Sequence, residues 1–353
     1  MKILKRWFAI VTVLITISVA AGAGWLYSIY KTPTLNAEPV VFEVQRGSHV
    51  RAVANQLASA DIWAEADFLY AYARLTQQTA LRAGEYEIPP STTLPALLTL
   101  LQSGRTLQYQ VTFIEGWRFR DWRDALSQLD NIEHTITDLS EEEVAQALEL
   151  DHVLPEGLLY PDTYSYQRGA TDLSILRQAR DKMARVVAEE WENRSEAAVV
   201  KTPYEALILA SIVEKETGAS WERGEIAGVF TRRINNRMRL ETDPTVIYGL
   251  GDEFRGNLTR RHLNTTTPYN TYRVSGFPPT PIAMPGTDAI RAALNPEPGT
   301  SLFFVARGDG THQFSDNYDD HRAAVRRYQF RRSSDYRSAP PATQPPAPPE
   351  STE

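Results

Sequence analysis

The chain contains no cysteine, which excludes structural disulfides, thiolate-bound zinc, iron–sulfur clusters and a thiol nucleophile. Histidine is sparse: six residues, at 49, 134, 152, 262, 312 and 321, fall in no HExxH arrangement, so no metal site is expected. The G-x-S-x-G elbow, the P-loop and the dinucleotide-binding glycine pattern are all missing. Esterase, NTPase and dehydrogenase chemistry therefore lose their usual supports, and nothing calls for a cofactor. Basic charge is in deficit, with 37 Lys and Arg against 44 Asp and Glu for a net charge of -7. A phosphate-backbone binder normally carries a basic face, so nucleic acid is not an expected partner.

What is present fits a folded, two-domain protein with attachments. The 353 residues are 42% hydrophobic and 23% charged, close to the average for globular chains and too long for one ordinary core. Residues 7–30 form one long uncharged run, roughly two dozen positions, enough for an α-helix to cross a membrane. Lys2, Lys5 and Arg6 precede it, and the positive-inside rule then places residues 1–6 in the cytoplasm and everything after Lys31 outside. The expectation is a single-pass protein of the bacterial inner membrane with its bulk in the periplasm. A cleaved signal peptide is the rival reading, because Ala20-Ala21-Gly22-Ala23 would suit a cleavage site. The run is long for a signal core, however, and Trp7, Trp25, Tyr27 and Tyr30 resemble interfacial aromatic belts. Residues 336–353, rich in Pro, Ala, Ser and Thr, read as a solvated tail.

Between the ends, hydrophobic periodicity predicts a strand at 40–44 and a helix through Val50, Val53, Ala54 and Leu57. It then predicts a second helix at 68–75, a strand at 84–88, and a helix from Leu94 to Leu101 closed by Ser103-Gly104. Residues 38–108 thus read as a small α+β module, and residues 109–335 as a larger α+β domain. In the latter, a strand through Val111, Phe113 and Ile114 ends in Glu115-Gly116-Trp117, followed by an amphipathic stretch at 118–129. Helices are predicted at 173–191 and 204–217, with a mixed region of loops and strands from there to about Val305.

With metals, thiols and serine elbows set aside, carboxylate chemistry remains. The segment Ala206-Leu207-Ile208-Leu209-Ala210-Ser211-Ile212-Val213-Glu214-Lys215-Glu216-Thr217 is apolar nearly all round, so it belongs at the heart of its domain. At helical periodicity Glu216 shares a face with Leu209, Ile212 and Val213, whereas Glu214 shares one with Leu207, Ala210 and Ser211. Desolvation on the apolar stripe would raise the Glu216 pKa and keep a proton available for general acid catalysis. The alternative is that both acids are solvated at a helix end or paired with arginines such as Arg223 or Arg232. Tyr269-Asn270-Thr271-Tyr272 and the stretch around Asp243-Pro244 suit carbohydrate, whose rings pack on aromatics and whose hydroxyls bond amides and hydroxyls. The competing view is that the tyrosines pack half-buried and the amides cap turns.

Five blocks, in order, resemble the endolytic murein transglycosylases of the YceG-like (MltG) family. They are Glu156-Gly157 with Tyr160-Pro161-Asp162-Thr163-Tyr164; Ala210 to Thr217; Thr242-Asp243-Pro244-Thr245-Val246-Ile247-Tyr248-Gly249; Tyr269 to Tyr272; and His312-Gln313-Phe314. The strand, helix, helix, strand order of the N-terminal module resembles a LysM-like module that binds cell-wall sugars, a spacer being the plainer reading. The family resemblance implies cleavage of the β-1,4 bond between N-acetylmuramic acid and N-acetylglucosamine in nascent peptidoglycan strands, leaving 1,6-anhydro ends. It places Glu216 as the catalytic acid and base. Glu214, Glu156, Asp162, Thr163 and Asp243 are then candidates for orienting sugar or Glu216, and Tyr248, Tyr269, Asn270 and Tyr272 for lining the cleft. It further implies peptidoglycan synthases as partners. Thr280 after Pro279 and Met284 before Pro285 depart from the expected pattern and put loop contacts there in question. A hydrolase in which Asp243 or Asp162 activates water, and a non-catalytic cell-wall scaffold, are the competing functions.

Overall fold

The computed structural model describes residues 2–329, without the side chains at positions 2–6, 8, 9, 26, 28 and 29. The tail at 336–353 lies outside the described residues, as do the side chains of the expected cytoplasmic segment. The chain divides into two compact units, one of residues 1–109 with 166–169, the other of 110–165 with 170–353.

The first unit opens with helix α1 (Lys2–Lys31), which takes in the apolar run. Among the described residues, no helix is long and apolar enough to cross a membrane. Strand β1 (Val40–Val44), helices α2 (Val50–Ser59) and α3 (Ala66–Leu75), strand β2 (Gly84–Ile88) and helix α4 (Leu94–Ser103) follow. β1 and β2 pair antiparallel, Val40 opposite Ile88 and Val44 opposite Gly84. Period-two alternation turns Phe42 and Val44 inward, where they meet Val53, Leu57, Leu69, Leu97 and Leu98. α4 ends in Gly104 at a left-handed C-cap, φ 70°, a conformation that costs glycine least.

The second unit is richer in helix. Its elements are β3 (Tyr109–Thr112), α5 (Phe119–Ser127), β4 (Ile132–Glu133), α6 (Glu141–Ala147), β5 (Thr163–Tyr166), β6 (Ala170–Thr171), α7 (Asp172–Glu192), α8 (Pro203–Glu216), α9 (Arg223–Asn235), α10 (Asp243–Leu250), α11 (Arg260–Asn264), α12 (Thr287–Leu294), β7 (Phe303–Ala306), β8 (His312–Ser315) and α13 (Tyr318–Tyr328). Only two-stranded pairings occur among the described residues, β3 with β5, β4 with β6 and β7 with β8. The core is α8, every residue of which from Ala206 to Val213 is buried, packed among α7, α9 and α12.

Two expectations need correction. The strand through Phe113 and Ile114 stops at Thr112, before the turn at Gly116. The region to Val305, read as loops and strands, also holds the helices α9 to α12 between its loops, and its strand starts only at Phe303. α9 was hidden by its glycines: a Cβ at Gly228 would stand 2.4 Å from the Glu297 carbonyl oxygen, so a close approach demands the residue that helix propensity disfavours. α10 was hidden by Asp243-Pro244, which reads as a turn but occupies the first turn of the helix, where proline is preorganised and its missing N–H costs nothing.

Candidate active site

α8 brings one carboxylic acid to the rim of a cleft. The helix starts at Thr202, whose hydroxyl oxygen accepts from the Glu205 N–H at 3.1 Å, and at Pro203. Its apolar body is spent in the core, and its last residue is Glu216. The Thr242 hydroxyl donates to Glu216 Oε1. Next to Thr242, Asp243 Oδ1 accepts from the Tyr272 hydroxyl at 2.7 Å. Glu216, Thr242, Asp243 and Tyr272 line a common cleft of about 440 Å³, whose other walls come from β7, β8 and α13.

The environment of Glu216 favours the protonated carboxyl. Burial pushes its pKa from 4.5 to about 7; the Thr242 hydrogen bond pulls it down and the Asp243 charge pushes it up. Burial wins because one hydroxyl replaces only part of a carboxylate's hydration. The group thus holds a proton through much of the neutral range while keeping an open face, as a general acid requires. Tyr272, half-buried beside Asp243, has its own pKa raised and stays a neutral donor.

Glu214, two residues earlier, has a different use. Its side chain is 5% exposed and pairs with Arg223 Nη2 at 2.7 Å. Its second oxygen accepts from the Gly286 N–H at 3.1 Å. Both oxygens are thus engaged within the fold, tying α8 to α9 and to the start of α12, and Glu214 does not line the cleft. The arginine pairing weighed in the sequence is realised at this acid.

Glu156 belongs to a second buried cluster. Only 3% exposed, it accepts from the Phe119 N–H through both oxygens, at 3.2 and 3.3 Å. Burial raises its pKa to about 8 against the Phe119 hydrogen bond. Tyr248 stands nearby on α10, 4.9 Å from the Tyr269 ring and with the Arg118 guanidinium 4.9 Å from its own. The Tyr269 hydroxyl lies 2.9 Å from Thr280 Oγ1, so the unexpected threonine makes a specific contact. The unexpected Met284 does too, its sulfur accepting from the Gly157 N–H at 3.1 Å.

Three further candidates lie off the cleft. Asp162 pairs with Lys182, and the Thr163 hydroxyl lies 2.8 Å from that of Thr112. Asn270, 1% exposed, donates to the carbonyls of His262, Leu263 and Thr265 and accepts from the Tyr272 N–H at 3.0 Å. It is the turn-capping amide of the plainer reading, and it sets the backbone that carries Tyr272. Sequence reasoning missed Thr242 as a site residue, though it stands directly before Asp243, and missed the buried pair of Glu222 and His312. Among the described residues no cluster of His, Asp or Glu has the arrangement of a metal site.

Residues 42–327 match the YceG-like family. The chain is 28% identical to a protein of Bacillus subtilis named endolytic murein transglycosylase, covering 87% of this chain and 90% of that one. It is 27% identical to a protein of the same name from Streptococcus pneumoniae, over 80% of this chain but only 57% of the longer relative. A crystal structure of a yceG-like protein from Listeria monocytogenes superposes with a TM-score of 0.52 at 27% identity, covering 82% of this chain and 99% of that one.

Proposed function

Because the chain belongs to the YceG-like family, we propose that it is an endolytic peptidoglycan lytic transglycosylase, an enzyme that cuts within glycan strands. The observation that carries this is Glu216: a carboxyl at the rim of a cleft, hydrogen-bonded by Thr242 and with its pKa raised to about 7. Relatives named endolytic murein transglycosylase support the substrate.

The bond cut is the β-1,4 link between N-acetylmuramic acid and N-acetylglucosamine. Protonated Glu216 gives its proton to the leaving glycosidic oxygen while the anomeric carbon becomes oxocarbenium-like. The resulting carboxylate, still held by Thr242, takes the proton of the muramic C6 hydroxyl as that oxygen closes on the anomeric carbon. A 1,6-anhydro ring forms and no water enters, so one carboxyl serves where hydrolases generally use two. Tyr272 holds Asp243 in place beside Glu216, and Asp243 raises the Glu216 pKa, which favours return of the proton after each turnover.

Location and the N-terminal unit complete the proposal. The described part of α1 falls short of a membrane span, but the uncharged run at 7–30 in the sequence, preceded by Lys2, Lys5 and Arg6 and with Ile10, Leu14, Ile17 and Trp25 exposed, supports a single-pass anchor with the rest of the chain in the periplasm. The β1-α2-α3-β2 unit then serves as a LysM-like glycan-binding module or a spacer, and tethering brings the cleft to strands leaving the synthases. Cutting there limits strand length.

The test is digestion of uncrosslinked strands by the detergent-solubilised full chain and its Glu216→Gln variant. Losing the general acid should slow cleavage by about a hundredfold or more, with the unfolding midpoint kept. Equal rates would remove Glu216 from the mechanism.

A further inference from the structure

Among the polar groups of the cleft that the acid chemistry does not use is an imidazole. His312, at the start of β8, is 7% exposed and lines the same cleft as Glu216. Its ring Nδ1 lies 2.8 Å from Glu222 Oε2, and its backbone N–H donates to Glu222 Oε1 at 2.9 Å. Glu222, also buried, receives a third contact from the Thr217 hydroxyl at 3.5 Å. Thr217 directly follows Glu216, so the Glu222 carboxylate links the end of the catalytic helix to β8.

This pairing sets the tautomer. A carboxylate oxygen accepts, so in the neutral imidazole the proton sits on Nδ1 and the second ring nitrogen, Nε2, is left as an acceptor. Among the described residues Nε2 has no hydrogen-bond partner, and it is not among their buried unpartnered atoms. It therefore has an open side, and the space His312 borders is the cleft. The Phe304 ring, edge-on to His312 with centroids 5.4 Å apart, restrains the imidazole. An acceptor fixed by a buried carboxylate and a packed aromatic is preorganised, because little rotamer freedom remains to be lost on binding.

We propose that His312 is a substrate-binding residue of this cleft, its Nε2 accepting a hydrogen bond from a hydroxyl of the glycan strand, with Glu222 as the residue that positions it. The inference rests on the proposed glycan substrate. It adds a second polar contact to the acid at Glu216, one that acts on binding rather than on bond cleavage.

Two substitutions separate binding from a purely structural role. His312→Asn sets an amide nitrogen near the Nδ1 position, keeping the Glu222 bond but losing the cleft acceptor. His312→Gln, one methylene longer, restores an acceptor near Nε2 and loses the Glu222 bond. Binding of uncrosslinked glycan strands is measured in the full chain carrying Glu216→Gln, and KM and kcat in the chain with Glu216 intact. His312→Asn should weaken binding and raise KM about tenfold, the worth of one hydrogen bond, with a smaller change in kcat and an unchanged unfolding midpoint. His312→Gln should recover much of the affinity. A KM unchanged in His312→Asn, or a His312→Gln chain weaker than His312→Asn, overturns the proposal while leaving the transglycosylase reading intact. Should either variant fail to fold, the Nε2 nitrogen resonance of His312 in the Glu216→Gln chain must still move when strands are added, and no movement is contrary to it. Failure of the wild-type chain both to bind and to cut strands would remove both readings.

Discussion

Thr242 stands at the N-cap of α10, yet its hydroxyl makes no capping bond and donates instead to Glu216 Oε1. A threonine in that position usually satisfies a free N–H of the first turn. Diverting it costs the helix a cap and gives the acid of α8 a fixed orientation. The helix start is secured by other bonds: the Thr242 N–H donates to Thr271 Oγ1 at 3.1 Å, and the Thr245 hydroxyl donates to the Thr242 carbonyl at 2.8 Å.

Removing that hydroxyl should therefore change the acid more than the fold. The bond favours ionised Glu216, so Thr242→Val leaves burial and the Asp243 charge to raise the pKa above its present value of about 7. A general acid must start protonated, so kcat/KM declines as pH rises through this pKa. In Thr242→Val the decline should lie at higher pH, read from the pH profile of strand cleavage. A decline at the same or lower pH would exclude the hydroxyl as a control on Glu216.

Asp243→Asn should act in the opposite sense. Its charge raises the Glu216 pKa, so the neutral amide lets the acid ionise earlier and the alkaline decline moves to lower pH. Opposed shifts in two adjacent residues are a signature that a general loss of structure would not produce.

Glu214 and Glu216, two residues apart, should fail differently. Glu214→Ala leaves Arg223, 8% exposed, without its closest carboxylate, since Glu115 and Asp288 are each 3.6 Å away. Breaking a buried pair costs about 3–5 kcal/mol. A lowered unfolding midpoint with activity retained by folded molecules is expected. Activity lost at full stability would return Glu214 to the reaction.

Glu156 should make stability depend on pH. Its pKa rises from 4.5 unfolded to about 8 folded, so between those values the folded chain holds a proton that the unfolded chain has released. Its stabilising contribution is complete below 4.5 and is lost as pH rises to about 8, at roughly 1.4 kcal/mol per pH unit. Glu156→Gln cannot ionise yet still accepts from the Phe119 N–H. Relative to wild type it should gain stability steadily from pH 5 to 8, measured as urea midpoints. Parallel curves would show that Glu156 ionises freely.

The N-terminal unit was legible almost element by element because each strand and helix buries one face under a simple period, as Phe42 and Val44 do in β1 and Val53 and Leu57 in α2. α8 was legible for the opposite reason: a helix apolar on every side has only the core to occupy, and an acid at its end stands out. What the sequence concealed depended on contacts between distant residues. The hydroxyl that holds Glu216 lies 26 residues away. The amide of Asn270 could equally have faced sugar or capped a turn, and only the neighbouring carbonyls of 262, 263 and 265 decide it. Gly228 masked one helix because its local propensity opposes the packing that requires it, and Pro244 masked another because Asp-Pro reads as a turn although proline suits the first turn of a helix.

The most direct measurement of the central claim is the mass of the new chain ends when the full-length protein digests uncrosslinked peptidoglycan strands. Intramolecular attack by the C6 hydroxyl predicts ends lighter by one water than a reducing sugar. Reducing ends would contradict it and make the protein a hydrolase, and intact strands would leave a scaffold.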